Sequence, residues 1–169
     1  IIAFSATMLA TISFVRHLRS VRRSAGNGSL VHDTLRQVEI WTLFAVTTGV
    51  LMAVPHINRY VHGTYAVVGH TMGSIIGVNT FLLIGAVWAY AGVRQRWRYR
   101  MLTTASICLA AFCAVFIGLG IARGILRTEH PYMYWIHDLR IYYVLIPISG
   151  ILLGIVLLAI ALVVNAMVA

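Results

Sequence analysis

Residues 64–93 run for thirty positions without a single Asp, Glu, Lys or Arg. A hydrocarbon core about 30 Å thick is crossed by about 20 apolar helical residues, so this block is long enough to span a bilayer with tilt or projection. Four further apolar blocks lie at about 1–15, 38–56, 101–121 and 141–168. The chain as a whole is 60% hydrophobic and 10% charged, with a mean hydropathy of +0.89, which is the range of polytopic membrane proteins and outside that of soluble domains. In lipid every backbone N–H and C=O must be satisfied within the protein, and the block lengths suit helices. The expectation is an all-α, polytopic transmembrane bundle of about five helices, forming one domain over residues 1–169.

The formal charge is +9, and all 13 basic residues are arginines. They fall mostly between the apolar blocks, which reports membrane topology and excludes a nucleic-acid partner. The connections after the first and third blocks hold Arg16, Arg19, Arg22, Arg23, Arg36, Arg94, Arg96, Arg98 and Arg100, whereas the other two hold Arg59, Arg123, Arg127 and Arg140. By the positive-inside rule the richer pair is cytoplasmic, which puts the carboxyl terminus inside. The first of these stretches, RHLRSVRRSAGNGSLVHDTLR, reads as a solvated loop around Gly-Asn-Gly and carries His17 and His32. Block 1–15 is short of a full span, so its beginning is expected to lie outside this chain. Nothing resembles a signal peptide. Cys108 and Cys113, five apart in one apolar block, read as small core residues.

One passage does not fit ordinary membrane-core sequence. Arg59 to Thr80 reads RYVHGTYAVVGHTMGSIIGVNT and places His62, His70 and Met72 at the mouth and upper half of the third block. An ionisable residue inside a span is a functional hypothesis by default. On a helix, residues two apart diverge by about 200°, so His70 and Met72 face nearly opposite ways and one helix can offer an axial ligand to each of two haems. The alternative for His70 is a hydrogen bond to a neighbouring helix, and for Met72 plain packing. Gly69, Gly73 and Gly77 form a side-chain-free strip that admits either a neighbouring helix or a flat macrocycle. On a continuous helix His62 lies about 12 Å above His70, at the height of haem propionates rather than iron. Arg123 and Arg127 emerge on the same side, in a connection that also carries His130, His137 and Asp138. They suit propionate carboxylates, or else they cap their helix within an interfacial layer shared with Tyr132, Tyr134 and Trp135.

The string His62-Gly63-Thr64-Tyr65, with His70-Thr71-Met72-Gly73 after it, resembles the tenth helix of haem-copper oxidase large subunits, most closely in the nitric oxide reductase branch. The flanking VPHINRYVHGTY and SIIGVN share that likeness. The resemblance covers the last four helices and extends to the first, which would make this chain the carboxyl-terminal part, roughly the last five helices, of a longer or split subunit in a larger bundle. Carried over, it makes His70 the proximal ligand of a high-spin haem b and sets Met72 where a low-spin haem's histidine usually stands. It gives His62, Gly69, Gly73, Arg123 and Arg127 the surroundings of the cofactor.

What the resemblance implies is a respiratory oxidoreductase of denitrification that reduces NO to N2O at a haem facing a non-haem iron or copper. The metal's three histidines are not recognisable here and are expected from the other half of the catalytic subunit or a companion membrane chain. A cytochrome c or a quinol would donate electrons, and the location would be a bacterial or archaeal cytoplasmic membrane. The rivals are a haem-copper oxygen reductase, against which Gly63 stands where oxidases usually carry aspartate, and a non-catalytic b-type cytochrome or membrane anchor.

Overall fold

The computed structural model describes residues 2–91, 97–129 and 148. Among them every element is helical: α1 (Ile2–Ser24), α2 (Leu30–Ala53), α3 (Pro55–Val61), α4 (Tyr65–Ser74), a π-helical segment (Ile75–Thr80), α5 (Phe81–Ala91) and α6 (Trp97–Glu129). The all-α class is as expected. The expected last helix, about 141–168, lies outside the described residues, as do His130, Tyr132, Tyr134, Trp135, His137 and Asp138.

Local chemistry sets the boundaries. Gly26 and Gly28 adopt positive φ in the link between α1 and α2, and the Ser29 hydroxyl then accepts the His32 N–H at 3.1 Å to cap α2. Val54 is extended and Pro55 opens α3, where its missing N–H costs nothing; the two helices meet at 99°. The chain turns again at Gly63 (φ +70°), a conformation that favours glycine, before Thr64 caps α4. The Thr64 hydroxyl donates to the Val61 carbonyl at 2.7 Å and accepts the Ala66 N–H at 3.3 Å.

From Tyr65 to Val87 the chain is one rod long and apolar enough to cross a membrane, and Leu102 to Glu129 is a second; α2 with α3 gives a third if the bent pair is one span. Within the chain only 22% and 28% of the first two spans is buried. Leu43, Leu83 and Ile107, each more than 60% exposed, therefore face lipid or further protein.

The rods pack antiparallel. Along α2, Phe44 lies against Gly73, Trp41 against Gly77 and Thr34 against Gly85. Along α6, Cys113 and Ile117 lie against Gly69, Gly120 against Ala66 and Gly124 against Tyr60. Val38, Trp41, Phe81, Leu109 and Cys113 form the dry core. Inside it the indole N–H of Trp41 donates to Ser106 at 3.0 Å, and the Ser106 hydroxyl donates to Gln37 at 2.8 Å. This relay joins α2 to α6 and satisfies polar atoms that apolar surroundings would penalise.

Two boundaries differ from the sequence expectation. The basic stretch after residue 15 is not a loop: α1 continues through Arg16, Arg19, Arg22 and Arg23, and α2 starts at Leu30, so the link shrinks to residues 25–29. Arginine is a good helix former, and Glu39 draws α1 onto α2 by pairing with Arg19 and, at 2.9 Å, with Arg22. His17 and His32 are accordingly helical residues. Likewise α6 runs on to Glu129 and includes Arg123 and Arg127.

The close approach of α6 to α3 and α4 is testable at its glycines. A methyl group at Gly120 would overlap the Ala66 backbone and one at Gly124 the Tyr60 carbonyl, whereas one at Gly118 meets nothing within 4 Å. Gly120→Ala or Gly124→Ala is expected to cost about 3 kcal/mol, at the upper end of overpacking. Gly118→Ala should be neutral or gain up to about 1 kcal/mol of helix propensity. Thermal unfolding of the purified protein in detergent reads the difference, and equal losses at all three would contradict this packing.

Candidate functional site

His70 lies in the second turn of α4, on the face turned to α2. Its Nδ1 is 2.7 Å from the Thr48 hydroxyl, and its ring edge rests over Gly49, where a Cβ would stand 3.3 Å from Cε1. The glycine at 49 is thus what lets the edge of the imidazole come close to the α2 backbone. The Thr48 hydroxyl also lies 2.7 Å from the Phe44 carbonyl. If that carbonyl takes the hydroxyl proton, Nδ1–H donates to Thr48 and Nε2 carries the lone pair; in the other tautomer the hydroxyl donates to Nδ1.

This arrangement matches what a metal-binding histidine needs. Such a residue commonly gives its second ring N–H to a protein oxygen, which sets ring orientation and raises the basicity of the other nitrogen. The hydrogen bond to a neighbouring helix, posed as the alternative to ligation, is present. Among the described residues no group of three or more His, Cys, Asp or Glu side chains is placed to hold a metal ion. Any second metal would need ligands from elsewhere.

The other expected site residues divide by height along the bundle. Met72, half-buried, sits two positions after His70 on the same α-helical turn, about 200° round the axis. The glycine strip is taken by neighbouring helices: Gly69 faces the Cys113 carbonyl, Ile117 and Phe116, Gly73 faces the Phe44 ring and Cys113, and Gly77 faces the Trp41 ring. Gly69 and Gly73 therefore set the height and rotation of His70 by close helix packing.

His62 is not on the helix that carries His70. It is the exposed cap residue of α3, and the turn through Gly63 and Thr64 separates it from α4, so a continuous 12 Å rise does not apply. The turn arises because Gly63 takes positive φ and Thr64 supplies the cap of a new helix. The arginines nevertheless come to the same end. Arg127 donates to the Arg59 carbonyl at 3.1 Å, near Gly63, and the Arg123 guanidinium lies over the Tyr65 ring at 4.9 Å. One rim thus gathers His62, Arg123, Arg127 and Arg59 about 8 Å above His70, counting five residues from Tyr65.

Two features were not expected from sequence. Thr48 is one of many threonines in apolar helices, and nothing in its neighbours marks it as the partner of a residue 22 positions away. The π-helical segment begins one residue after Ser74, whose hydroxyl donates to the His70 carbonyl at 2.9 Å. Such widened turns often accompany functional sites. The repeated Gly73 and Gly77, beneath the rings of Phe44 and Trp41, are the nearest signal.

The tautomer is open to direct measurement. In the native protein the ring ¹⁵N shifts of His70 should report a protonated Nδ1 and a bare Nε2. Thr48→Val removes the acceptor and should cost about 1–2 kcal/mol in thermal unfolding, with Thr48→Ser close to native. An unchanged ring spectrum in Thr48→Val would refute the pairing.

Compared with protein-family models, with curated proteins and with solved structures, the chain matches none of them, so the chemistry of this site rests on its own residues.

Proposed function

We propose that this chain is the haem-binding part of a membrane-embedded nitric-oxide-reductase-like oxidoreductase, with His70 as the axial ligand of a high-spin haem b. The single observation that supports it best is the placement of His70: Nδ1 is engaged by Thr48 of the neighbouring helix, so Nε2 is the nitrogen through which the ring would hold a metal. The HGTY string ahead of that histidine and the HTMG string that begins with it supply the resemblance that names the chemistry. Bound haem supplies the redox change at iron, and the protein's part is to bind it, orient it and tune it.

The roles of the chain's own residues follow from their places. Thr48 and Gly49 fix the imidazole plane, and Gly69 and Gly73 fix its height. Met72, on the far side of the same helix, would supply the thioether ligand of a low-spin haem, which raises a reduction potential relative to bis-histidine ligation. Arg123 and Arg127 put fixed positive charge at the rim, with His62 beside them, where carboxylates of a macrocycle would be neutralised by charge-assisted hydrogen bonds. The ligands of the non-haem iron or copper come from the other half of the subunit or a companion chain. Electrons enter from a cytochrome c or a quinol on the rim side. The arginine-rich end of α1 and α2 is the cytoplasmic one by the positive-inside rule, in a bacterial or archaeal membrane.

His70→Ala in the intact complex should abolish the high-spin haem signal and NO consumption while the helices remain assembled. Unchanged haem content would overturn the assignment. Met72→His should lower the low-spin midpoint potential, and an unshifted midpoint would make Met72 a packing residue. Consumption of oxygen in place of NO would move the protein to the oxygen reductases, and neither activity with haem retained would make it a b-type cytochrome.

A further inference from the structure

A second site lies at the opposite end of the bundle, in the groove between α1 and α2, and it is independent of haem binding. The groove measures about 530 Å³ and runs along the antiparallel pair. At one end its walls are Met8, Ile12, Leu43 and Val46, and at the other Arg16, Arg19, Arg22 and Arg36. Glu39 is the one carboxylate on its lining, and it is shared by Arg19 and Arg22. Three positive charges remain in excess, and no acidic side chain among the described residues pairs with Arg16 or Arg36.

The order of these residues carries the argument. Along α1 the lining changes from apolar to basic between Val15 and Arg16, and α2, running the other way, changes between Ile40 and Arg36. Both walls therefore switch at one level. From Met8 to Arg22 is about 21 Å of helix, close to half of a bilayer about 40–45 Å thick with its headgroups. An apolar lower half with a cationic upper half at that spacing has the polarity profile of one leaflet. A free anion would fill only the basic end and leave Ile12 and Leu43 uncovered. A partner helix would need its own carboxylates opposite Arg16 and Arg36.

We propose that this groove binds one anionic phospholipid, its acyl chain against Ile12 and Leu43 and its phosphate between Arg16 and Arg36. Basic pockets between transmembrane helices on the arginine-rich side recognise acidic headgroups in this way. The Glu39 pairs hold α1 and α2 together, while Arg16 and Arg36 are left for the lipid.

The test uses the detergent-solubilised protein with all the chains it assembles with, delipidated and then exchanged against micelles carrying phosphatidylglycerol or phosphatidylcholine, with bound lipid counted by native mass spectrometry. Phosphatidylglycerol should be retained selectively, and the Arg16→Ala/Arg36→Ala double variant should reduce that preference about thirtyfold, the combined effect of two arginines at a lipid surface. Arg16→Lys/Arg36→Lys, which keeps the charge, should retain most of it and shows that the alanine variant fails for want of charge. Equal retention of the two lipids, or full displacement of phosphatidylglycerol by millimolar inorganic phosphate, overturns the proposal. So does a companion helix found seated in the groove.

Discussion

Backbone contact between α6 and the α3–α4 segment is the constraint on which the other features depend. At Gly124 and Gly120 the helix has no side chain, and the Tyr60 carbonyl and the Ala66 backbone occupy that space. In lipid there is no hydrophobic gain from bringing two apolar helices together, so association depends on close van der Waals packing and on hydrogen bonds. Small residues achieve the first. They recur on α4 at Gly69 and Gly73, where Ile117, Phe116 and Cys113 of α6 fit into the space, and the pair locks at one height and one rotation.

That lock has consequences for α2. With Gly73 and Gly77 offering no side chains, Phe44 and Trp41 of α2 fill the recess, their rings meeting edge to face at 5.3 Å between centroids. Trp41 then reaches Ser106 on α6, so α2 is tied to both of the other rods. The threonines of α2 bend their hydroxyls back to carbonyls four residues earlier at Thr34, Thr42 and Thr48. At Thr48 this habit has an added effect, because the same hydroxyl also engages His70 Nδ1 at 2.7 Å and so ties the ring to α2.

Much of this was legible in the sequence, and the parts that were not share a cause. The uncharged blocks announced helices, and Pro55 is where α2 gives way to α3 at 99°. The spacing of Gly69, Gly73 and Gly77 announced a smooth strip, but spacing alone does not say what covers it, and helices do. The arginine runs were read as loop because charge was taken to mean solvent beyond the helix. A helix that ends at the membrane surface keeps its hydrogen bonds while its side chains reach water, so charge marks the depth at which lipid ends and not the end of α1 or α6. The height of His62 above His70 holds only on a continuous helix, and the positive φ of Gly63 with the cap at Thr64 interrupts it. The partner of His70 was beyond reach for another reason: it depends on the register of α2 against α4, which side-chain packing sets.

The same register argument explains why the two ends of the bundle differ in character. At the rim, α3, α4 and α6 are pulled together by glycine contacts, so Arg123 and Arg127 meet an aromatic ring and a carbonyl and are held in place. At the other end α1 meets α2 without such a strip. Its main polar attachment is Glu39, drawn between Arg19 and Arg22, a pairing worth more at a half-buried site than on an open surface because water screens it less. Helices held apart by arginine side chains leave a groove, and helices joined through glycine do not. The chain is therefore close-packed at the rim above His70 and open between α1 and α2.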